Sequence, residues 1–262
     1  MSESSRHGED NVKKTILSLM GIAAATMLTS SAAAQYAGLY ITEIISQPTE
    51  NELIEVFNST NAPMDVSGVV VADEDNNNTE GAVKFPAGTT IPARGVVIIA
   101  VNNSANEPTY LDSLPNGTVV FYDPARNVAG WTPVGGVTLV AMTDFATVDG
   151  GTSSGIALSG DDNVTLYRPT ATFAASVGVN DNTLAIDGMN YGPGSTYSPI
   201  NSTGATDTSG TRVGASQPAA GNSLQRVAPA ATNVASNAAF VEAAATPAGT
   251  IGVSNVSDWT AY

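Results

Sequence analysis

Short apolar runs rich in β-branched residues recur along the chain between clusters of Gly, Pro, Asn, Asp and Ser. No window keeps apolar residues at helical spacing over three turns. The pattern predicts strands at 39–46, 52–58, 68–73, 95–101, 118–122, 137–142, 163–167, 184–187 and 223–227. Between them stand breakers such as Asn58-Ser59-Thr60-Asn61-Ala62-Pro63, Asp75-Asn76-Asn77-Asn78, Phe85-Pro86-Ala87-Gly88 and Pro115-Asn116-Gly117. In the first run, strict alternation places Ile41, Glu43 and Ile45 on one face and Thr42 with Ile44 on the other. The run from Glu52 to Phe57 alternates less cleanly, which suits a strand covered on both sides for part of its length. The Ala-rich stretch 228–245 is the one place where a short helix competes, limited by Pro229 and Pro247. Residues 195–221, rich in Ser, Thr, Gly and Ala, read as a long surface loop. The expectation is an all-β domain of two sheets packed face to face.

Residues 1–34 stand apart. Lys13 and Lys14 precede the apolar stretch 15–29, and Ala32-Ala33-Ala34 follow. That order reads as a secretory signal peptide with cleavage expected after Ala34. The apolar stretch is short of the ~20 residues a spanning helix needs. Cleavage would leave 262 − 34 = 228 residues, 35–262, read as one elaborated domain.

Composition then narrows the chemistry. The whole chain carries 9 basic and 24 acidic residues, a net charge of −15, with one His and no Cys. His7 leaves with the leader, so the exported part has neither His nor Cys. Its cations are Lys84, Arg94, Arg126, Arg168, Arg212 and Arg226. So acidic a surface disfavours nucleic acid and anionic lipid, both of which need basic patches. No second apolar span follows the leader, and release into the periplasm, the medium or a surface layer is expected.

Several motifs, in order, carry a resemblance. Ile41-Thr42-Glu43-Ile44-Ile45 is followed by Glu52-Leu53-Ile54-Glu55-Val56-Phe57-Asn58, then by Met64-Asp65-Val66-Ser67-Gly68-Val69-Val70-Val71. Further on come Phe85-Pro86-Ala87-Gly88-Thr89-Thr90-Ile91-Pro92, Leu158-Ser159-Gly160-Asp161-Asp162-Asn163, Ile186-Asp187-Gly188, Gly221-Asn222-Ser223-Leu224-Gln225-Arg226 and Thr246-Pro247-Ala248-Gly249. Their order over about 39–249 resembles the lamin tail domain, in its secreted bacterial type. The resemblance implies an immunoglobulin-like β-sandwich. Val69 stands where the family usually has tryptophan, and an insertion of about 102–157 separates two landmarks.

Reactive constellations are thin. Gly151-Thr152-Ser153-Ser154-Gly155 fits the G-x-S-x-G pattern, but no histidine remains to activate the serine. No catalytic residue is assigned. Glu43 and Glu55 are the pair of carboxylates to weigh for acid and base work, against a framework role within the strand motifs. Arg226 is expected to satisfy strand-end carbonyls or to pair with Glu43 or Glu55. Gly68 and Gly88 fit turns that need positive φ. Calcium is the inorganic ligand to consider, because the segment from Asp73 to Glu80 concentrates oxygen donors, with Asp73, Asp75 and Asn77 as candidate ligands. A solvated turn explains the same residues.

The function expected is a secreted, non-enzymatic β-sandwich that binds, tethers or builds structure at the cell surface or beyond it. A surface component, a glycan, a protein or a second copy would be its partner. The rival reading is an extracellular hydrolase, or an accessory module of one, working through carboxylates or a bound divalent metal.

Overall fold

β1 (Leu39–Ile45) and β2 (Leu53–Asn58) pair antiparallel in the interior of the larger sheet, and every residue of both is buried. In this computed structural model the described residues are 35–47, 51–73, 81–101, 106–125, 130–133, 135–144, 156, 158, 162–169, 185–191, 219, 222–226 and 240–244. The chain divides into a unit of 1–37, described only at 35–37, and a unit of 38–262 that holds every strand described below.

The remaining strands are β3 (Met64–Asp65), β4 (Val70–Asp73), β5 (Ala82–Lys84), β6 (Thr90–Ile91), β7 (Val96–Ala100), β8 (Val119–Tyr122), β9 (Thr138–Ala141), β10 (Thr143–Asp144), β11 (Asp162–Tyr167), β12 (Ala185–Tyr191), β13 (Asn222–Arg226) and β14 (Phe240–Ala244). A seven-stranded sheet runs β14-β13-β1-β2-β7-β8-β9, a five-stranded sheet runs β10-β5-β4-β11-β12, and β3 pairs with β6. All nine strands expected from the pattern are present. The four of two or three residues, β3, β5, β6 and β10, were too short to show periodicity.

Register decides what each face carries. Ile44 lies opposite Ile54 and Ile41 opposite Val56, while Val97 and Ile99 of β7 continue that row. On the other sheet, Val71, Val83 and Leu166 share a face with Asp187, which reaches across to β1. These two inner faces form the sandwich core, and Phe85 meets Phe121 edge-on there at 5.0 Å.

The outer face of the seven-stranded sheet is covered as well. β7, β8 and β9 run parallel, and parallel neighbours require crossover connections rather than hairpins. Those crossovers, one with a 3-10 turn at Leu111–Ser113, lay Tyr110, Leu111, Leu114 and Trp131 on Ile45, Leu53, Ile98, Ala100 and Val120. Burial on both faces explains why β2 reads as a nearly unbroken apolar run.

Two expectations are corrected. A β-bulge at Thr42 makes Ile41 pair with Val56 and Glu43 with Glu55, so Ile41 shares its face with Ile44 rather than with Glu43 and Ile45. The end of the Ala-rich stretch is not helical: Phe240–Ala244 adds β14 to β13, where the free ladder and a Phe-Val start outweigh alanine's helix preference. Gly68 and Gly88 have φ of 75° and 83°, as their turns require.

Candidate functional site

The bulge at Thr42 takes the main chain of Ile41 out of the regular ladder, and two side chains take its place. Arg226 Nε donates to Ile41 O at 2.7 Å, and Ile41 N donates to Asp187 Oδ2 at 2.7 Å. Arg226 Nη2 closes the triangle on the same carboxylate oxygen at 2.6 Å. Arg226 is 1% exposed and Asp187 2%, so the pair lies in the interior and joins β13 to β12 across the two sheets. The guanidinium also lies 5.4 Å from the centre of the Tyr40 ring. Burial pushes the Asp187 carboxyl up, while the Arg226 charge and the N–H groups of Ile41 and Gly188 oppose that rise. Arg226 thus bonds a strand carbonyl as expected, but its partner is Asp187 and not Glu43 or Glu55.

Those two glutamates meet each other. Glu43 and Glu55 are direct cross-strand partners, 2% and 0% exposed. Because the bulge turns Thr42 to the same side, its hydroxyl donates to Glu55 Oε1 at 2.6 Å. Ser223 and Gln225 of β13 are the hydrogen-bonding neighbours of Glu43, with Gln225 Nε2 3.4 Å from Oε1. Glu55 Oε2 is buried with no hydrogen-bond partner among the described residues. Burial pushes Glu43 up to about 7, against the hydrogen bonds from Ser223 and Gln225. Burial likewise pushes Glu55 up to about 8, with the Glu43 charge adding to the rise and Thr42 opposing it. A carboxyl held neutral is the less costly form in such a place, so the pair retains a proton near neutral pH. Hydrolysis of a glycoside would need both groups to flank a substrate, and neither reaches solvent.

A third polar centre closes the C-terminal end of β2. Asn58 Nδ2 donates to the carbonyls of Ala62, Ile91 and Pro92 at 2.8, 3.2 and 2.9 Å, and Asn58 Oδ1 accepts from Thr60 N and Thr60 Oγ1. It ties the β2–β3 loop to the β6–β7 turn. Arg94, at φ 57° in that turn, donates to Ser59 O at 2.7 Å and stacks 5.3 Å from the Phe57 ring centre. The sequence reading gave Asn58 as the end of a strand motif and the start of a turn, and not as a tie between loops.

Of the calcium candidates, Asp73 ends β4, and its side chain, with Asp75 and Asn77, lies outside what is described. The Gly151–Gly155 motif, the leader and, apart from Ala219, the loop 195–221 also fall outside it. Among the described residues no group of three or more His, Cys, Asp and Glu converges as a metal site, and no helix is long and apolar enough to cross a membrane.

Comparison with known proteins bears on the fold. The lamin tail domain model matches residues 32–181, ending before β12 and β13. Among solved structures the chain is similar to a DUF4876 family protein from Bacteroides thetaiotaomicron VPI-5482, at 11% identity and a TM-score of 0.46, covering 81% of this chain and 69% of that one. No curated protein matches. With the family model spanning more than half of its length, this immunoglobulin-like β-sandwich belongs to the lamin tail domain family.

Proposed function

We propose that the chain is a secreted, non-enzymatic β-sandwich that binds, tethers or builds structure at the cell surface or outside the cell. One observation carries this reading. The carboxyls brought face to face, Glu43 and Glu55, are buried in mid-sheet and engaged by Thr42, Ser223 and Gln225, which is how a framework uses acids. The leader pattern of 1–34 supports export, and the acidic, Cys-free composition suits a neutral or cationic partner over nucleic acid.

The test is retention without turnover. Purified full chain is mixed with isolated cell envelopes and with insoluble polysaccharide, and both the bound fraction and any released reducing sugar or peptide are measured. Retention with no release supports the reading, as does concentration-dependent self-association by light scattering. Release that is lost in E43Q or E55Q would replace it with the hydrolase. A chain that is neither retained nor self-associated would contradict it.

A further inference from the structure

β9 and β10 belong to one extended stretch that borders both sheets. β9 ends the seven-stranded order and β10 begins the five-stranded one, with buried Met142 between them. Among the described residues only β8 pairs with β9: Thr138 N donates to Thr118 O and Met142 N to Tyr122 O, both at 2.9 Å. Main-chain groups alternate in direction along a strand, so the N–H and C=O of Leu139 and Ala141 point away from β8, to an edge that no described strand covers. Thr138, Ala141 and Thr143 are exposed, and Val137, Leu139 and Val140 are half-buried, so this edge meets solvent.

The usual guards of an edge are missing. Lysine, proline or a bulge commonly protects such a strand, yet 137–143 reads Val-Thr-Leu-Val-Ala-Met-Thr, without charge or proline, and β9 keeps unbroken register with β8. Apolar surface gathers beside it. Val137 and Leu139 pack on the outer cluster, while Val140 lies opposite Phe121 on the inner face. Val119, opposite Thr138 and 41% exposed, is the one large hydrophobic side chain left exposed among the described residues.

The strand complements its own reverse. With Val140 on a two-fold axis, a second β9 running antiparallel sets Leu139 opposite Ala141, so that each N–H meets the other residue's C=O and a large side chain lies against a small one. Val140 then faces Val140 of the other copy. The chain carries −15 overall but no charge between 137 and 143, so the edge selects no charged partner and the like charges of two copies lie outside this stretch. We infer that β9 pairs antiparallel with β9 of a second copy, joining two seven-stranded sheets into one across a two-fold dimer. The inference rests on the binding and structural reading above and gives it a partner and a surface. Such a pairing is isologous and closes on itself, so assembly stops at two copies.

Purified full chain is followed by sedimentation equilibrium over a range of concentrations, in about 0.5 M salt to screen the repulsion between two acidic chains. The expected mass rises from one copy to two and no further. The chain has no cysteine, so one introduced at Val140 reports on the axis. Val140→Cys should cross-link to a dimer on mild oxidation, because directly opposed residues bring their Cβ atoms within disulfide reach. Thr138→Cys, about 13 Å from its own copy in this register, should cross-link at least about tenfold more slowly. Ala141→Pro removes an edge N–H without touching the ladder to β8, and should abolish the dimer. If Ala141→Pro does not fold, the cysteine pair decides. A monomer at every concentration overturns the inference, as do a mass that grows beyond two, equal cross-linking at 138 and 140, or a dimer that folded Ala141→Pro retains. A monomer that cell envelopes still hold sinks this pairing and leaves the binding reading intact; a monomer they do not hold sinks both.

Discussion

Arg226 of β13 and Asp187 of β12 meet at 2.6 Å between the two sheets, in a place from which water is excluded. Two desolvated charges stabilise little on balance, but one of them alone is costly. Asp187→Ala leaves the guanidinium buried without its counter-ion and frees Ile41 N, and the expected loss is about 3–5 kcal/mol in urea denaturation. The double variant with Arg226→Met is expected to lose clearly less than the sum of the single losses. Additive losses would show that the two residues act independently.

The carboxyl pair sets an unusual pH dependence. Glu43 and Glu55 titrate near 7 and 8 when folded, against an ordinary 4.5. Across that window the folded state binds more protons than the unfolded one, so stability falls as pH rises and levels off above about pH 9. Below the ordinary value both states are protonated, so stability is at its highest with respect to this pair and no longer changes with pH. Asp65, held low by Ser67 at the surface, acts only in more acid solution. The urea midpoint is therefore expected to drop between about pH 5 and about pH 9, by on the order of a few kcal/mol of stability. Glu55→Gln should flatten most of that slope. Stability that climbs over the same interval would refute the assignment.

Asn58 makes a third test. Asn58→Ala removes the donor shared by three carbonyls and the acceptor for Thr60, and should cost about 2–4 kcal/mol by chemical denaturation. Asn61→Ala, in the same loop on an exposed residue, serves as the control and should cost well under about 1 kcal/mol. Equal effects would mean that the loop and the turn are held by something other than Asn58.

The strands were legible because their apolar runs are long and β-branched, as at 39–45 and 96–100. Their faces were not. One extra residue at Thr42 reverses the alternation of β1, and nothing in Ile41-Thr42-Glu43 marks the bulge. The acids at 43 and 55 stood out as a possible pair because each lies inside a strand motif. Asp187 did not stand out as the partner of Arg226, since a buried ion pair between β12 and β13 depends on how the sheets stack rather than on spacing along the chain. Tyr110 and Trp131 escaped notice for the same reason: the parallel crossovers that set them on Leu53 leave no period in the sequence.

The claim that the strand acids belong to the framework is tested most directly by carbon-13 NMR of the Glu43 and Glu55 side-chain carboxyls against pH. The account expects two coupled steps near 7 and 8, with the Glu55 step moving down in Glu43→Gln because the neighbouring charge is gone. Two independent titrations close to 4.5 would contradict it, because they would put both carboxyls in water, where a framework has no use for them and a substrate could reach them.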